Sequence, residues 1–338
     1  MRLWIDLANS PHVPFFKALA SRFISQGHEI ETTAREFAET IPLAQAAGFT
    51  AHVVGVHGGR AVSVKAGTLL SRAWMLAEWA RPRTFDLAIS HNSYSQILAA
   101  RALGIKAVTL MDYEYQPANH LAFRLTSRII VPTSFPARRL RRYGAGVGRV
   151  RRYHGTKEDV YLADFQPDPL FGERLCELGV NPDNVLVLMR PPAHDALYHR
   201  FQNALFDEAL AMLLTNENVQ VILLPRNESQ RATYSAKAGK RLMIPNAPLD
   251  GANLVAASDL VISAGGTINR EAAALGVPAV SIYAGKWASV DEELVNEGRL
   301  RRVSSTTELH ELSIEKKQTA NPRRSVHVID EVVRLIFE

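Results

Sequence analysis

Short apolar runs alternate with stretches whose apolar residues recur at helical spacing, and this alternation continues along the whole chain. Residues 2–8, beginning Arg2-Leu3-Trp4-Ile5-Asp6-Leu7, read as a strand, and 13–26 as a helix stopped by Gly27. Strands follow at 29–34 and 50–56, with a helix over 37–47 ending at Gly48 between them. Further strands are expected at 85–90, 106–111 and 128–132, with helices near 94–103, 117–125 and 135–143. The pattern then restarts. An apolar strand at 184–189 leads to a helix near 196–214, then to strands at 219–224, 240–244, 259–263, 278–283 and 300–303. Repeated β-α order predicts an α/β protein whose halves each carry a mainly parallel, Rossmann-like sheet with helices on both faces.

The two patterns set the domain expectation. Residues 1–153 form the first domain and 168–320 the second, joined by a linker over 154–167 where Gly155 and Pro167 interrupt regular structure. Two such halves are expected to face each other across a cleft. Ligands of open parallel sheets bind at the carboxyl ends of strands, so the loops there are where chemistry is sought. Val326 to Phe337 has helical spacing.

Composition changes little. With 338 residues, 47% hydrophobic and 22% charged, the chain reads as an ordinary globular protein of two domains. A single cysteine, Cys176, excludes an internal disulfide framework and a cysteine-rich zinc site. No run of eighteen apolar residues predicts a membrane span, and the early Asp6 argues against a signal peptide, so a cytoplasmic location is expected. The net charge of +5 is unevenly placed, with Arg138, Arg139, Arg141, Arg142, Arg149, Arg151 and Arg152 within one short stretch. Such a patch can attract nucleic acid, anionic lipid or a phosphorylated substrate, or be a solvated helix face; no nucleic-acid-binding motif accompanies it. Residues 69–81, with Trp74 and Trp79, are amphipathic. They either pack on the protein's own core or lie in a lipid interface at the inner face of the membrane.

The most informative stretch is 258–283. Leu260 to Ile262 form a buried strand, Ala264-Gly265-Gly266 remove side chains as the chain leaves it, Thr267 is a helix N-cap, and Gly276 stops the helix. A glycine turn feeding a helix N-terminus offers bare N–H groups and the positive end of the helix dipole to phosphate oxygens. Glu271 lies about a turn further on, where a carboxylate could reach a ribose hydroxyl. Arg190 and Arg226 each stand directly after a strand and can fork onto phosphate. Lys286, and Trp287 beside it, sit in the next loop, where they could close over a base or sugar.

The first half carries the candidate acid–base groups. His12 begins the first helix, where the dipole favours a neutral imidazole suited to a general base. Ser10, His91 and Asn92 lie in loops after strands as sugar or acceptor contacts, and Asp112 and Glu114 stand one residue apart between tyrosines. Asp-x-Glu can act as base, grip sugar hydroxyls or hold a metal.

These residues carry a resemblance. Trp4-Ile5-Asp6 with Pro11-His12, Arg190-Pro191-Pro192, Leu224-Pro225-Arg226 and Ser258 to Pro278 resemble the GT-B superfamily of sugar-nucleotide enzymes, most closely the family called domain of unknown function 354. Ala264-Gly265-Gly266-Thr267-Ile268-Asn269-Arg270-Glu271 is similar to a stretch of the peptidoglycan N-acetylglucosaminyltransferase and to one in non-hydrolysing UDP-N-acetylglucosamine 2-epimerases. The resemblance implies a GT-B fold in which residues 321–338 form a helix crossing back onto the first domain. It implies that Gly265, Gly266, Thr267, Asn269 and Glu271 meet the nucleotide sugar, with Glu271 on the ribose. The strand-one loop of the transferase is glycine-rich, whereas Ser10-Pro11-His12 is not.

The expectation is a glycosyltransferase with a UDP-sugar donor, no metal, no separate cofactor and no nucleic-acid partner. His12, or failing it Asp112 or Glu114, takes the acceptor's proton. The alternatives are a sugar-nucleotide 2-epimerase and a non-catalytic binder on the same fold. A lipid-linked acceptor becomes attractive if residues 69–81 meet a membrane.

Overall fold

A computed structural model describes residues 1–37, 39–56, 62–192, 204–323 and 326–338, and divides into two compact units. The first comprises Met1–Tyr161, Ala288–Val290 and Ser325–Glu338; the second comprises Leu162–Trp287 and Asp291–Arg324.

In chain order the elements of the first region are β1 (Arg2–Leu7), α1 (His12–Ser25), β2 (Glu29–Glu36), α2 (Thr40–Ala46), β3 (Ala51–Val56), α3 (Val62–Ala80), β4 (Leu87–His91), α4 (Tyr94–Ala102), β5 (Lys106–Leu110), α5 (Asn119–Leu125), β6 (Arg128–Pro132), α6 (Ala137–Arg142), β7 (Val150–Tyr153) and α7 (Lys157–Leu162). There follow α8 (Phe171–Glu177), β8 (Val185–Arg190), α9 (Ala204–Thr215), β9 (Val219–Leu223), α10 (Glu228–Ser235), β10 (Leu242–Met243), α11 (Gly251–Ala257), β11 (Leu260–Ser263), α12 (Thr267–Leu275), β12 (Ala279–Ser281), α13 (Ser289–Asn296), β13 (Arg301–Arg302), α14 (Thr306–His310) and α15 (Val326–Phe337).

The first sheet has seven strands in the order β3-β2-β1-β4-β5-β6-β7, and the second six in the order β10-β9-β8-β11-β12-β13. Their ladders are parallel. Each order reverses once, between β1 and β4 in the first sheet and between β8 and β11 in the second. A crevice opens at such a switch point because the connecting helices leave to opposite faces. The loops there are 8–11, leading to His12, and 92–93, following His91, in one unit, and those that follow Arg190 and Ser263 in the other.

Strand β1 shows how the sequence builds the first unit. Leu3, Ile5 and Leu7 point into a core shared with Phe15, Phe16 and Phe23 of α1 and with Val332 and Ile336 of α15. Helix α15 thus belongs to the first unit, returning its apolar face to β1's sheet. Trp4 points the other way, onto Leu76 and Phe85. Asp6 shares Trp4's face by the period of two, and it is fully buried. Arg72 of α3 meets its carboxylate with two bonds of 2.7 and 2.9 Å, Thr33 donates at 2.6 Å and Ser93 at 2.5 Å. Burial alone pushes that carboxyl up, but Arg72's charge and these hydrogen bonds outweigh it and hold Asp6 below its ordinary value. One carboxylate therefore ties together β1, β2, α3 and the start of α4.

Several element limits differ from the sequence reading. Strand β2 runs on to Glu36, so the helix expected from 37 starts at Thr40. The stretch read as linker contains helix α7, whose Lys157 and Glu158 are buried as an ion pair of 3.0 Å. Of the helix near 196–214, the described part starts at Ala204; residues 196–203, with Ala193 and His194, lie outside the described residues. The arginines of 138–152 divide. Arg149 donates to the carbonyls of Thr126 and Gly144, Arg152 to those of Thr133 and Phe135, and Arg151 pairs with Glu338. Arg138, Arg141 and Arg142 are exposed. No described helix is long and apolar enough to cross a membrane.

Candidate functional site

In the second unit the switch point is built from backbone and arginine. Strand β11 ends at Ser263 beside Arg190 of β8, and Ala264 N–H donates to the Arg190 carbonyl at 3.2 Å. Ser263 Oγ accepts from Gly265 N–H at 3.1 Å, and Asn269 Nδ2 donates back to the Ser263 and Gly265 carbonyls at 3.3 and 3.0 Å. The turn is thereby held from inside by a buried asparagine. Thr267 is the first residue of α12 rather than its cap: Gly266 occupies the cap position and has no side chain with which to cap it. A first turn without a side-chain cap leaves its N–H groups for another acceptor. Gly266 and Thr267 are half-buried at this mouth. The far end closes as the sequence predicted, with Gly276 in the left-handed region at φ 71°.

Gly265 is required by close approach. A Cβ there would stand 2.6 Å from Arg226 Nη2. Arg226 is steered into this place by its Nε, which donates to the Pro191 carbonyl at 2.7 Å. Gln230, which bonds the Pro192 carbonyl and the Arg226 N–H, fixes the same loop. Arg190 Nε is shut off from solvent and has no hydrogen-bond partner among the described residues. Arg270 flanks Gly266 but is committed to Asp291 through bonds of 2.6 and 3.1 Å. The Arg226 head and an uncapped helix start therefore meet at a glycine turn, with Arg190 at the end of the neighbouring strand, an arrangement that suits an oxyanion. Glu271 is half-buried on α12, and Lys286 is exposed. Trp287 is a packing residue: it is buried, its indole donates to the Tyr283 carbonyl at 3.2 Å, and Arg302 stacks on it at 4.7 Å.

In the first unit the ends of β1, β4 and β5 bring His12, His91 and Asp112 together. The two imidazoles lie 5.1 Å apart, and His91 Nε2 is 3.8 Å from an Asp112 oxygen. His12 Nδ1 is enclosed and has no hydrogen-bond partner among the described residues. Burial, then the nearby charges of His91 and Lys157, and more weakly Arg35, hold its pKa well below the usual value; Asp112 opposes this in part. The ring is neutral at pH 7. Asn92 adopts a left-handed backbone, φ 62°, and its enclosed Oδ1 has no partner among the described residues. Such strain in a non-glycine residue persists where the surroundings impose it, commonly at a binding site. Glu114 is buried, and one of its oxygens accepts from the N–H of Ser289 at 2.9 Å and from its hydroxyl. Ser10 bonds the Thr40 hydroxyl at 3.2 Å, joining the first loop to α2. Among the described residues no group of three or more His, Cys, Asp or Glu is placed to hold a metal ion.

Sequence reasoning overlooked Lys157 and Arg35, whose charges are felt at His12. Lys157 was concealed in an apparent linker. Arg35 was concealed at the end of a strand whose irregular pairing leaves only Gly55 as a local trace.

Two parallel Rossmann-like sheets, each with its switch-point loops, are the architecture of the GT-B fold. The chain belongs to the family described as Protein of unknown function (DUF354), which matches residues 1–338. An uncharacterized protein of Methanocaldococcus jannaschii is 27% identical over 344 residues, covering 99% of this chain and 96% of that protein. Among solved structures, the UDP-GlcNAc 2-epimerase of Neisseria meningitidis, bound to UDP-GlcNAc, matches with a TM-score of 0.74 at 11% identity, covering 99% of this chain and 100% of that one. MurG of Acinetobacter baumannii matches with a TM-score of 0.53 at 17% identity over 99% of both chains.

Proposed function

We propose that the protein is a glycosyltransferase whose donor is a UDP-linked sugar, and that it works without a metal or separate cofactor. One observation carries the reading: Arg226 lies against Gly265 at the uncapped start of α12, with Arg190 at the end of the neighbouring strand and its Nε without a partner among the described residues. Those groups receive the diphosphate, and Glu271, half-buried on the helix that follows, receives the nucleoside, while Asn269, which the sequence placed on the ligand, instead holds the turn from inside. In the reaction the acceptor oxygen bonds to the anomeric carbon while the bond from that carbon to the diphosphate breaks. The electron pair leaves on the diphosphate, where fixed N–H groups and arginines stabilise it. The acceptor's proton passes to the neutral His12 ring. Asp112 beside His91 and Glu114 held by Ser289 leave His12 as the better base.

A second reading, a sugar-nucleotide 2-epimerase, is favoured by the higher TM-score to the Neisseria meningitidis enzyme than to MurG. Melting the protein with UDP, GDP, CDP, dTDP and their sugars tests both readings. UDP compounds are expected to stabilise it most, and no stabilisation by any of them refutes both. Incubation with the stabilising sugar nucleotide then separates the two, free UDP marking transfer or hydrolysis and a C2-inverted sugar nucleotide marking epimerisation.

A membrane-linked acceptor belongs to the same proposal. Leu70 and Trp74, one turn apart on α3, are 62% and 67% exposed. Trp79 instead packs on Trp4 at 5.7 Å, so Trp74 is the residue to change. Flotation with anionic liposomes is expected for the parent and weakened by Trp74→Ser. A parent that stays with the soluble fraction removes the membrane from the proposal.

A further inference from the structure

Arg35 stands where β2 and β3 lose register. Ala34 pairs with Val53 and Glu36 with Val56, so Val54 and Gly55 together face Arg35. Gly55 takes φ 75°, and the space its missing Cβ leaves is filled by Arg72, whose Cγ would stand 3.1 Å from such an atom. Arg72 passes through this bulge, donates to the Val54 carbonyl at 2.8 Å and closes on Asp6. Bulges bend a strand and re-aim its side chains.

The consequence falls on Arg35. By the period of two it shares the face of Thr33 and hence of Asp6. Asp6 already receives Arg72 twice, Thr33 and Ser93. Arg35 Nε is enclosed and has no hydrogen-bond partner among the described residues, while the side chain as a whole stays partly open to solvent and lies over the Phe37 ring at 5.0 Å. Burial and the like charge of Arg72, partly offset by Asp6, bring its pKa down to about 10, still fully charged at neutral pH. The cation sits at the carboxyl edge of the sheet, close enough for His12 to feel its charge. An enclosed donor with no acceptor is costly unless something brings one.

We propose that Arg35 is an anion subsite for the acceptor, gripping a carboxylate, sulfate or phosphate group and so holding the acceptor's hydroxyl near His12. This rests on the transferase reading and gives the acceptor its chemical class: a hydroxyl compound bearing an oxyanion.

Inorganic phosphate is the probe, titrated against protein carrying labelled histidine, with the His12 ring signal assigned by its loss in His12→Gln. The parent is expected to show a saturable movement of that signal that survives saturating UDP. Arg35→Gln is expected to weaken it at least tenfold while keeping the parent's stabilisation by UDP. If Arg35→Gln does not fold, Arg35→Lys is measured instead, and loss of the forked donor is expected to weaken the response at least threefold. No saturable movement in the parent, or an undiminished one in the folded variant, overturns the subsite. Abolition of the movement by UDP also overturns it, assigning the anion to the donor. Failure of UDP to stabilise the parent overturns the transferase reading beneath it and is recognised separately, because the phosphate response is scored without nucleotide.

Discussion

Gly265→Ala is a substitution whose effect can be worked from one distance. The added methyl carbon would stand 2.6 Å from Arg226 Nη2 and 3.7 Å from Ser263 Oγ. The arginine head is the mobile partner, so it moves away and the backbone turn stays. Position 265 has no left-handed requirement, and the fold loses little. What is lost is one charge-assisted hydrogen bond to a bound diphosphate, worth about 1.5–3 kcal/mol, or roughly 10- to 150-fold in affinity. With ligand at a hundred times the parent's dissociation constant, the parent gains about 2.7 kcal/mol and the variant between about 0.3 and 1.4. The assay is denaturant unfolding of both proteins with and without UDP. Equal stabilisation of the two by UDP would refute the placement of Arg226 on the phosphate. A large loss of stability without ligand would refute the claim that the arginine, not the turn, gives way.

Asp6→Asn leaves Arg72 buried without its carboxylate and is expected to cost about 3–5 kcal/mol, seen as a lower urea midpoint at unchanged slope. For His12 the folded chain keeps the ring neutral while the unfolded chain takes up a proton below about pH 6.5, so stability falls as pH drops through that value. The limiting slope is about 1.4 kcal/mol per pH unit, and His12→Gln is expected to flatten this part of the stability–pH curve. Gly276→Ala combines a left-handed backbone with a Cβ placed 2.2 Å from the Asn321 backbone, whereas Gly104→Ala has the same backbone sense and nothing within 4 Å. Gly104→Ala is expected to cost about 1–2 kcal/mol and Gly276→Ala clearly more, by thermal or urea unfolding.

What could be read in the sequence was what depends on near neighbours. The alternation Leu3-Trp4-Ile5 gives a strand with two buried faces, and the structure sends those residues to two cores. Ala264-Gly265-Gly266 announces itself by missing side chains, and Gly276 by its place after an apolar helix. What could not be read depends on distant pairing. Asp6 and Arg72 are 66 residues apart, and nothing near either marks the other. The bulge at Arg35 arises from how two strands align, and its only local trace is Gly55. The arginines of 138–152 looked alike in sequence, but Arg149 and Arg152 spend their hydrogen bonds on carbonyls that only the folded chain brings to them. Thr267 looked like a cap because threonine caps helices, but the turn places Gly266 there and leaves the first N–H groups uncapped.

The central claim is that a diphosphate binds at the open first turn of α12. Amide hydrogen exchange with and without saturating UDP tests it most directly. The account predicts slowed exchange concentrated in the peptide spanning residues 264–268, and smaller in Gly265→Ala. UDP that leaves those amides exchanging as before would contradict it.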